Sequence, residues 1–229
     1  MNFSFPFFSR KAHESHTQQL ETSRGMLTVV SACSVELLEQ LGIDEGLGFF
    51  WHNRPDLQLD ALKKIAATPG GCVTIAHDGK QVLGYVTIGL PDADVRWGRD
   101  HIKGLYELGG IDVSRNWRHA GIRGAVLSAT FAGDAYAEAI VLATGYRWCW
   151  DFEESGVNVR EYREGLNRLF SKFGFEFFDT DEPNIAWYPD NALVARIGKR
   201  APRDLVARFK ALLFENSGAD YSLGEFVGR

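Results

Sequence analysis

The sequence is poor in cysteine and carries no excess of basic residues. Its three cysteines, Cys33, Cys72 and Cys149, lie far apart among 229 residues, and no CxxC pair occurs. This argues against a disulfide framework or a cysteine-based zinc site, and it is typical of a protein in a reducing cytoplasm. Lysine and arginine number 25 against 30 acidic residues, which gives a formal net charge of −5. Nucleic acid is therefore not an expected partner.

Apolar runs long enough to cross a membrane are also missing. The first stretch, MNFSFPFFSRK, is interrupted by Pro6, and its charges follow the apolar part instead of preceding it. That order is wrong for a signal peptide, so we expect a cytoplasmic protein without a membrane partner. Residues 1–25 are predicted to form an N-terminal extension and residues 26–229 a single domain. Four phenylalanines of the extension could instead cover the surface of a homodimer: Phe3, Phe5, Phe7 and Phe8.

Short metal and nucleotide motifs are absent as well. The six histidines, including His52, His77 and His119, show no HExxH spacing, and the sequence contains neither a P-loop nor GxGxxG. We therefore expect no bound metal. Strand-like and helix-like segments alternate along the chain, which predicts one α/β domain.

Several of these segments are well defined. Asp78-Gly79 lies between two β-branched runs and predicts a hairpin. LYELGGIDV and AIVLATG predict strands, with a helix between them from about Ala120 to about Ala137. A second long helix is predicted in NVREYREGLNRLFSKFGF.

The turn between the first of these strands and the following helix combines arginines with glycines. A helix N-terminus offers unpaired N–H groups to an anion, glycine lets a ligand approach the backbone, and arginine adds charge-assisted hydrogen bonds. From these residues alone, a phosphate site and a solvated surface turn both remain open. The candidate site, which we call the anion turn, comprises Arg118, His119, Ala120, Gly121, Ile122, Arg123, Gly124 and Ala125.

The anion turn resembles motif A of the GNAT superfamily of acetyltransferases, whose pattern is Arg/Gln-x-x-Gly-x-Gly/Ala. The resemblance implies that acetyl-CoA is the co-substrate and that the turn holds its pyrophosphate. Arg123 stands where the family has glycine or alanine, and the glycine follows at Gly124. The preceding ELGGIDV resembles the superfamily's fourth strand, which implies backbone contacts from Ile111 and Val113 to the cofactor. Its pair Gly109-Gly110 suits a break or bulge in that strand. The implied fold is a single GNAT-like α/β domain with a mixed, splayed central sheet flanked by helices.

Further segments, among them GYVTIGLPDADVRW, YRWCWDF and NALVARIGK, resemble a bacterial acetoin-utilisation acetyltransferase family between about Gly84 and Phe214. The resemblance implies acetylation of a lysine on acetyl-CoA synthetase, which down-regulates that enzyme. Two alternatives remain open. The acceptor could be a small-molecule amine, or the chain could be a CoA-binding regulator that acts on the synthetase by contact.

Glu107 is the candidate general base. A lysine amine must lose a proton before it attacks a thioester, because its ordinary pKa is about 10.4. Glu107 lies in an otherwise apolar strand, where desolvation raises the pKa of a carboxyl group. Its place, 11 residues before Arg118, matches the base position in the histone-acetylating branch of the superfamily. The alternative is a strand-edge glutamate that faces solvent.

The usual general acid of the superfamily is missing. LFSKFGF places Phe170 where related enzymes have a tyrosine, and phenylalanine cannot donate a proton. Tyr146 and Tyr162 could substitute, although their positions are more typical of packed side chains, at a strand end and on the apolar face of a helix. Tyr146 and Trp148 alternate along the chain, which puts them on one face of an extended segment. They are candidates either for a wall around the substrate or for the core.

Overall fold

The computed structural model describes residues 15–48, 54–147, 156 and 158–215. These residues form six α-helices: α1 (Val35–Gln40), α2 (Pro55–Ala67), α3 (Ile122–Thr130), α4 (Val159–Ser171), α5 (Pro183–Ala186) and α6 (Arg203–Leu213). The same residues form nine strands: β1 (Thr17–Thr22), β2 (Gly25–Val30), β3 (Gly42–Ile43), β4 (Cys72–His77), β5 (Gln81–Gly89), β6 (Leu105–Val113), β7 (Ile140–Gly145), β8 (Glu176–Phe178) and β9 (Ala192–Ile197).

All nine strands belong to one mixed sheet with the order β1-β2-β4-β5-β6-β7-β9-β8, and β3 pairs with β5. The β6–β7 and β3–β5 pairs are parallel, and the others are antiparallel. β6 and β7 can be parallel because α3 forms the crossover between them. The mixed α/β architecture predicted from the sequence is confirmed.

The centre of the sheet is splayed, as expected. β6 pairs with β7 only from Leu105 to Glu107, although β6 continues to Val113 and β7 to Gly145. On its other side, the register of β6 with β5 shifts so that Gly109 has no opposite residue. This is the bulge that the glycine pair predicted, and it adds local twist to β6 where the strand leaves β7.

Helices cover both faces of the sheet. The buried side chains of α3, including Val126 and Leu127, pack on one face together with Phe170 of α4. Neighbouring strand residues point to the other face, where α1 and α2 pack near β4 and β5, and α6 packs near β7 and β9. The anion turn and α4 are therefore on the same side of the sheet.

Two predicted boundaries were wrong. The helix after the anion turn ends at Thr130 instead of about Ala137, because Gly133 and Tyr136 adopt positive φ angles of 58° and 57° that no α-helix allows. The sheet begins at Thr17, inside the segment predicted to be an extension up to residue 25. TQQLET is mostly exposed, so it lacks the apolar alternation that identifies a strand. The phenylalanines of the first residues lie outside the described part of the chain.

Candidate active site

The separation of β6 from β7 opens a cavity of about 320 Å³ at the centre of the sheet. β6 and β7 form two of its walls, α4 crosses it, and residues from β8 and β9 complete it. The lining includes six of the residues singled out from the sequence: Glu107, Ile111, Arg123, Tyr146, Tyr162 and Phe170. Residues as far apart in sequence as Glu107 and Val194 thus meet in one cleft.

Glu107 occupies the last position at which β6 still pairs with β7. The Thr144 hydroxyl donates a hydrogen bond of 3.3 Å to Glu107 Oε1 across the opening strands. Burial raises the pKa of the Glu107 carboxyl, the Thr144 hydrogen bond opposes that rise, and the negative charge of Asp92 adds to it. The net raised pKa agrees with the sequence-based expectation and suits the carboxylate to accept a proton nearer neutral pH. Its catalytic role stays a prediction.

Within the anion turn, Gly121 is the N-cap of α3 and has a φ of 78°. The first helical hydrogen bond runs from Ala125 N to Gly121 O, so the N–H groups of Ile122, Arg123 and Gly124 precede the helical ladder. These are the groups that a helix N-terminus presents to an anion.

Gly124, which lies one place later than the glycine of the family pattern, leaves room beside the anion turn. A Cβ added at Gly121 or Gly124 would meet no atom within 4 Å, so the backbone borders open space there. Arg123 is exposed and also lines the cavity, whereas Arg118 is half-buried. The departure from the family pattern therefore gives the anion turn a cation that also borders the cavity.

The remaining predicted site residues separate into three groups. Val113 lies at the end of β6 and does not line the cavity, in contrast to Ile111. Tyr146 and Tyr162 are half-buried lining residues, so both hydroxyl-bearing candidates lie in the cleft. Trp148 lies outside the described residues.

Phe170 occupies the cavity wall where the resemblance places a tyrosine. Its ring packs edge-to-face on Phe175, with 5.2 Å between the ring centroids. Sequence reasoning missed the contributions of Thr144, Arg163 and Asn167, since none belongs to a motif. Their indirect signal was their place in predicted elements: Thr144 in the strand AIVLATG, and Arg163 and Asn167 in the long helix.

Other chemistry finds no support in the described part of the chain. No group of three or more histidine, cysteine, aspartate or glutamate side chains there could hold a metal ion. None of the helices described is both long and apolar enough to cross a membrane.

Comparison with known proteins assigns the chain to a family. The acetoin utilization protein AcuA of Bacillus subtilis (strain 168) is 33% identical over 199 residues, which span 87% of this chain and 94% of that protein. AcuA of Bacillus licheniformis is 32% identical over 202 residues, which span 88% and 95%. This chain belongs to the AcuA family.

A solved AcuA-family structure agrees with this assignment. The crystal structure of an acetoin utilization protein from Exiguobacterium sibiricum has 34% sequence identity and a TM-score of 0.83, and the match covers 88% of this chain and 95% of that one. No protein-family model matches the chain. This chain shares the fold of that acetoin utilization protein, and its splayed β6 and β7 agree with the sheet that the resemblance to the GNAT superfamily implied.

Proposed function

We propose that this AcuA-family protein is a cytoplasmic, acetyl-CoA-dependent N-acetyltransferase that modifies a lysine of acetyl-CoA synthetase and so lowers its activity. The observation that carries the proposal is the raised pKa of Glu107 inside a cleft that opens beside a helix N-terminus with adjacent cations. Membership of the AcuA family supports a role in acetoin utilisation. A carboxylate base in the cleft suits an amine acceptor such as lysine, which must lose a proton before it attacks the thioester.

The residues present fit acetyl-CoA. Open space beside Gly121 and Gly124 lets a pyrophosphate approach the amides that begin α3, and Arg118 and Arg123 supply charge. The backbone of β6 beyond Glu107, including Ile111 and Val113, is not paired with β7 and can bond the amides of the pantetheine arm. When bound, acetyl-CoA supplies the thioester whose acetyl group is transferred.

In the proposed mechanism, Glu107 accepts a proton from the acceptor ammonium group, directly or through a water molecule. The neutral amine then attacks directly in a ternary complex. A covalent cysteine intermediate has no support among the described residues, because Cys33 and Cys72 are buried and neither lines the cavity. The leaving thiol has an ordinary pKa of about 8.5, so it can depart with little help despite Phe170. Tyr146 or Tyr162 would provide the proton if one is required.

One observation favours a second candidate function. Phe170 removes the usual proton donor, as expected of a CoA-binding regulator that acts on the synthetase by contact with little catalysis. A small-molecule amine as acceptor is the third possibility considered from the sequence, and no described contact distinguishes it from lysine.

Mass spectrometry of acetyl-CoA synthetase after incubation with this protein and acetyl-CoA tests the proposal. We expect one new acetyl-lysine, absent when acetyl-CoA is omitted and absent with the Arg118→Glu protein. An unmodified synthetase, together with normal acetyl-CoA binding by calorimetry, would contradict lysine acetylation. Inhibition of the synthetase without modification would then support the contact regulator, and turnover of small amines the third candidate.

A pair of substitutions should move the pH dependence in opposite directions. Thr144→Val removes the hydrogen bond that lowers the pKa of Glu107, so the low-pH limb of kcat/KM should move to higher pH. Asp92→Asn removes a charge that raises the same pKa, so the limb should move to lower pH. Initial rates at saturating acetyl-CoA across a pH series measure both shifts. If the low-pH limbs of both variants coincide with that of the wild type, the general base is a residue other than Glu107.

A further inference from the structure

The anion turn is joined to β6 by a short segment, residues 114–117, which we call the linking turn. It consists of buried Ser114 and one turn of 3-10 helix, Arg115–Trp117. Ser114 O accepts a hydrogen bond of 2.9 Å from Trp117 N, and Trp117 O accepts one of 3.3 Å from Ala120 N. Through these two hydrogen bonds, the conformation of the linking turn fixes the position of Ala120 in the anion turn.

Asp44, which follows β3, holds the linking turn from one side. Asp44 is buried, with only 8% of its surface exposed. Asp44 Oδ1 accepts hydrogen bonds from Gly46 N at 2.9 Å, Ser114 Oγ at 2.5 Å and Asn116 Nδ2 at 3.0 Å. One carboxylate oxygen therefore fixes both its own loop and two residues of the linking turn.

The loop around Gly46 packs directly against the same segment. Gly46 O accepts a hydrogen bond of 3.2 Å from Arg115 N. A Cβ added at Gly46 would lie 2.4 Å from Ser114 Oγ and 2.9 Å from Arg115 N, both inside contact distance. Any side chain at position 46 must therefore displace the loop or the linking turn.

Arg24 holds the linking turn from the other side. It lies at the tip of the β1–β2 hairpin, and its Nη1 donates a hydrogen bond to Asn116 O. Its guanidinium carbon also lies 5.4 Å from the centroid of the Trp117 ring, within cation–π range. The linking turn is thus held between two segments that are remote from it in sequence.

The anion turn needs such support because its backbone is unusual. His119 has a φ of 64° although it is not glycine, and Gly121 follows with a φ of 78°. A side-chain-bearing residue stays in this left-handed region only where its surroundings over-determine the conformation. Backbone donors bind a phosphate well only when they converge on it without rearrangement.

We propose that Asp44 and Arg24 are positioning residues that hold the linking turn, and through it the anion turn, in the conformation that binds the phosphate groups of acetyl-CoA. The inference rests on the proposed function to the extent that the anion turn is the CoA site. Neither residue lines the cavity, and both act through Ser114, Asn116 and Trp117.

Calorimetric titration with CoA itself tests the proposal without needing turnover. Asp44→Ala should weaken CoA binding about tenfold or more, because it removes three hydrogen bonds to one acceptor. Asp44→Asn keeps an oxygen at Oδ1 and should stay within about threefold of wild type. Gly46→Ala and Arg24→Ala should weaken binding in the same direction. In steady-state assays, KM for acetyl-CoA should rise, while kcat and KM for the acceptor stay near wild type.

Thr130→Val is the matched control for general destabilisation. Thr130 is buried at the other end of α3, and its hydroxyl bonds Thr74 Oγ1 at 2.9 Å. This variant should have a lower Tm than wild type but bind CoA normally.

The inference is overturned if Asp44→Ala and Arg24→Ala bind CoA like wild type. It is also overturned if Thr130→Val, at the same Tm as these variants, loses as much CoA affinity as they do. If Asp44→Ala does not fold, the exposed Arg24 decides alone. A wild-type protein that binds no CoA would overturn the proposed function as well.

Discussion

Glu107→Gln is expected to lower the rate of acetyl transfer by about 10²- to 10⁴-fold, the usual contribution of a positioned general base. Glutamine has almost the same shape as glutamate but cannot accept a proton at neutral pH. Glu107 lies in the cavity and not in the anion turn, so acetyl-CoA affinity should remain near that of the wild type. Single-turnover rates and calorimetric binding constants, measured on the same protein preparation, separate these two effects.

The same substitution should stabilise the folded protein at neutral pH. Because burial raises the pKa of Glu107 in the folded state, folding favours its protonated form. The contribution of Glu107 to the free energy of unfolding is therefore fully present below the ordinary pKa of a carboxyl group. It is lost as the pH rises through the pKa that Glu107 has in the folded protein. Glutamine stays neutral throughout. We expect the Glu107→Gln protein to have a higher Tm than wild type at pH 7 to 8, with the difference shrinking below a pH of about 4.

Glu21→Gln is the matched control, since Glu21 is exposed on the edge strand β1, at the far end of the sheet from the cavity. It removes the same charge and should change neither the rate of acetyl transfer nor the affinity for acetyl-CoA. Full activity of Glu107→Gln with normal acetyl-CoA binding would remove Glu107 from the role of base. A loss of activity together with a lower Tm would point to a structural role instead.

The parts of this site that sequence could predict are those whose signals are local. LYELGGIDV is an apolar run that leads into a turn rich in glycine and arginine, and it coincides with β6, Leu105–Val113. Its glycine pair gave the bulge, and the spacing of arginine and glycine gave the turn that begins α3. The raised pKa of Glu107 followed from an acid in apolar surroundings.

The parts that sequence could not predict depend on contacts between distant segments. Asp44 reaches Ser114 across 70 residues, and Thr144 reaches Glu107 across 37. Neither pair has a motif, since a hydrogen bond across a sheet is set by how the elements pack and not by their local spacing. β1 was missed for a related reason: its polar residues form a strand because β2 offers an unpaired edge, not because of their own propensity.

Arg123→Glu is expected to weaken acetyl-CoA binding by about 100-fold or more. A hydrogen bond to a charged group contributes about 1.5–3 kcal/mol, and reversing the charge adds repulsion of the pyrophosphate. Arg123 is exposed at the second position of α3, so the fold should tolerate the change. Wild-type affinity should fall as salt rises, because the contact is open to solvent, and the variant should lose that dependence. Calorimetry at two or more salt concentrations measures both effects.

Two comparisons determine whether the loss arises at the phosphates. Lys210→Glu makes the same change in net charge at an exposed residue of α6, which packs on the opposite face of the sheet from α3. It should leave acetyl-CoA affinity unchanged. S-acetylpantetheine carries the thioester without the pyrophosphate. With that donor, wild type and Arg123→Glu should transfer acetyl groups at similar rates, because S-acetylpantetheine has no pyrophosphate for Arg123 to contact. An equal deficit with both donors would place Arg123 at the thioester end of the cleft, where it already lines the cavity, and not at the pyrophosphate.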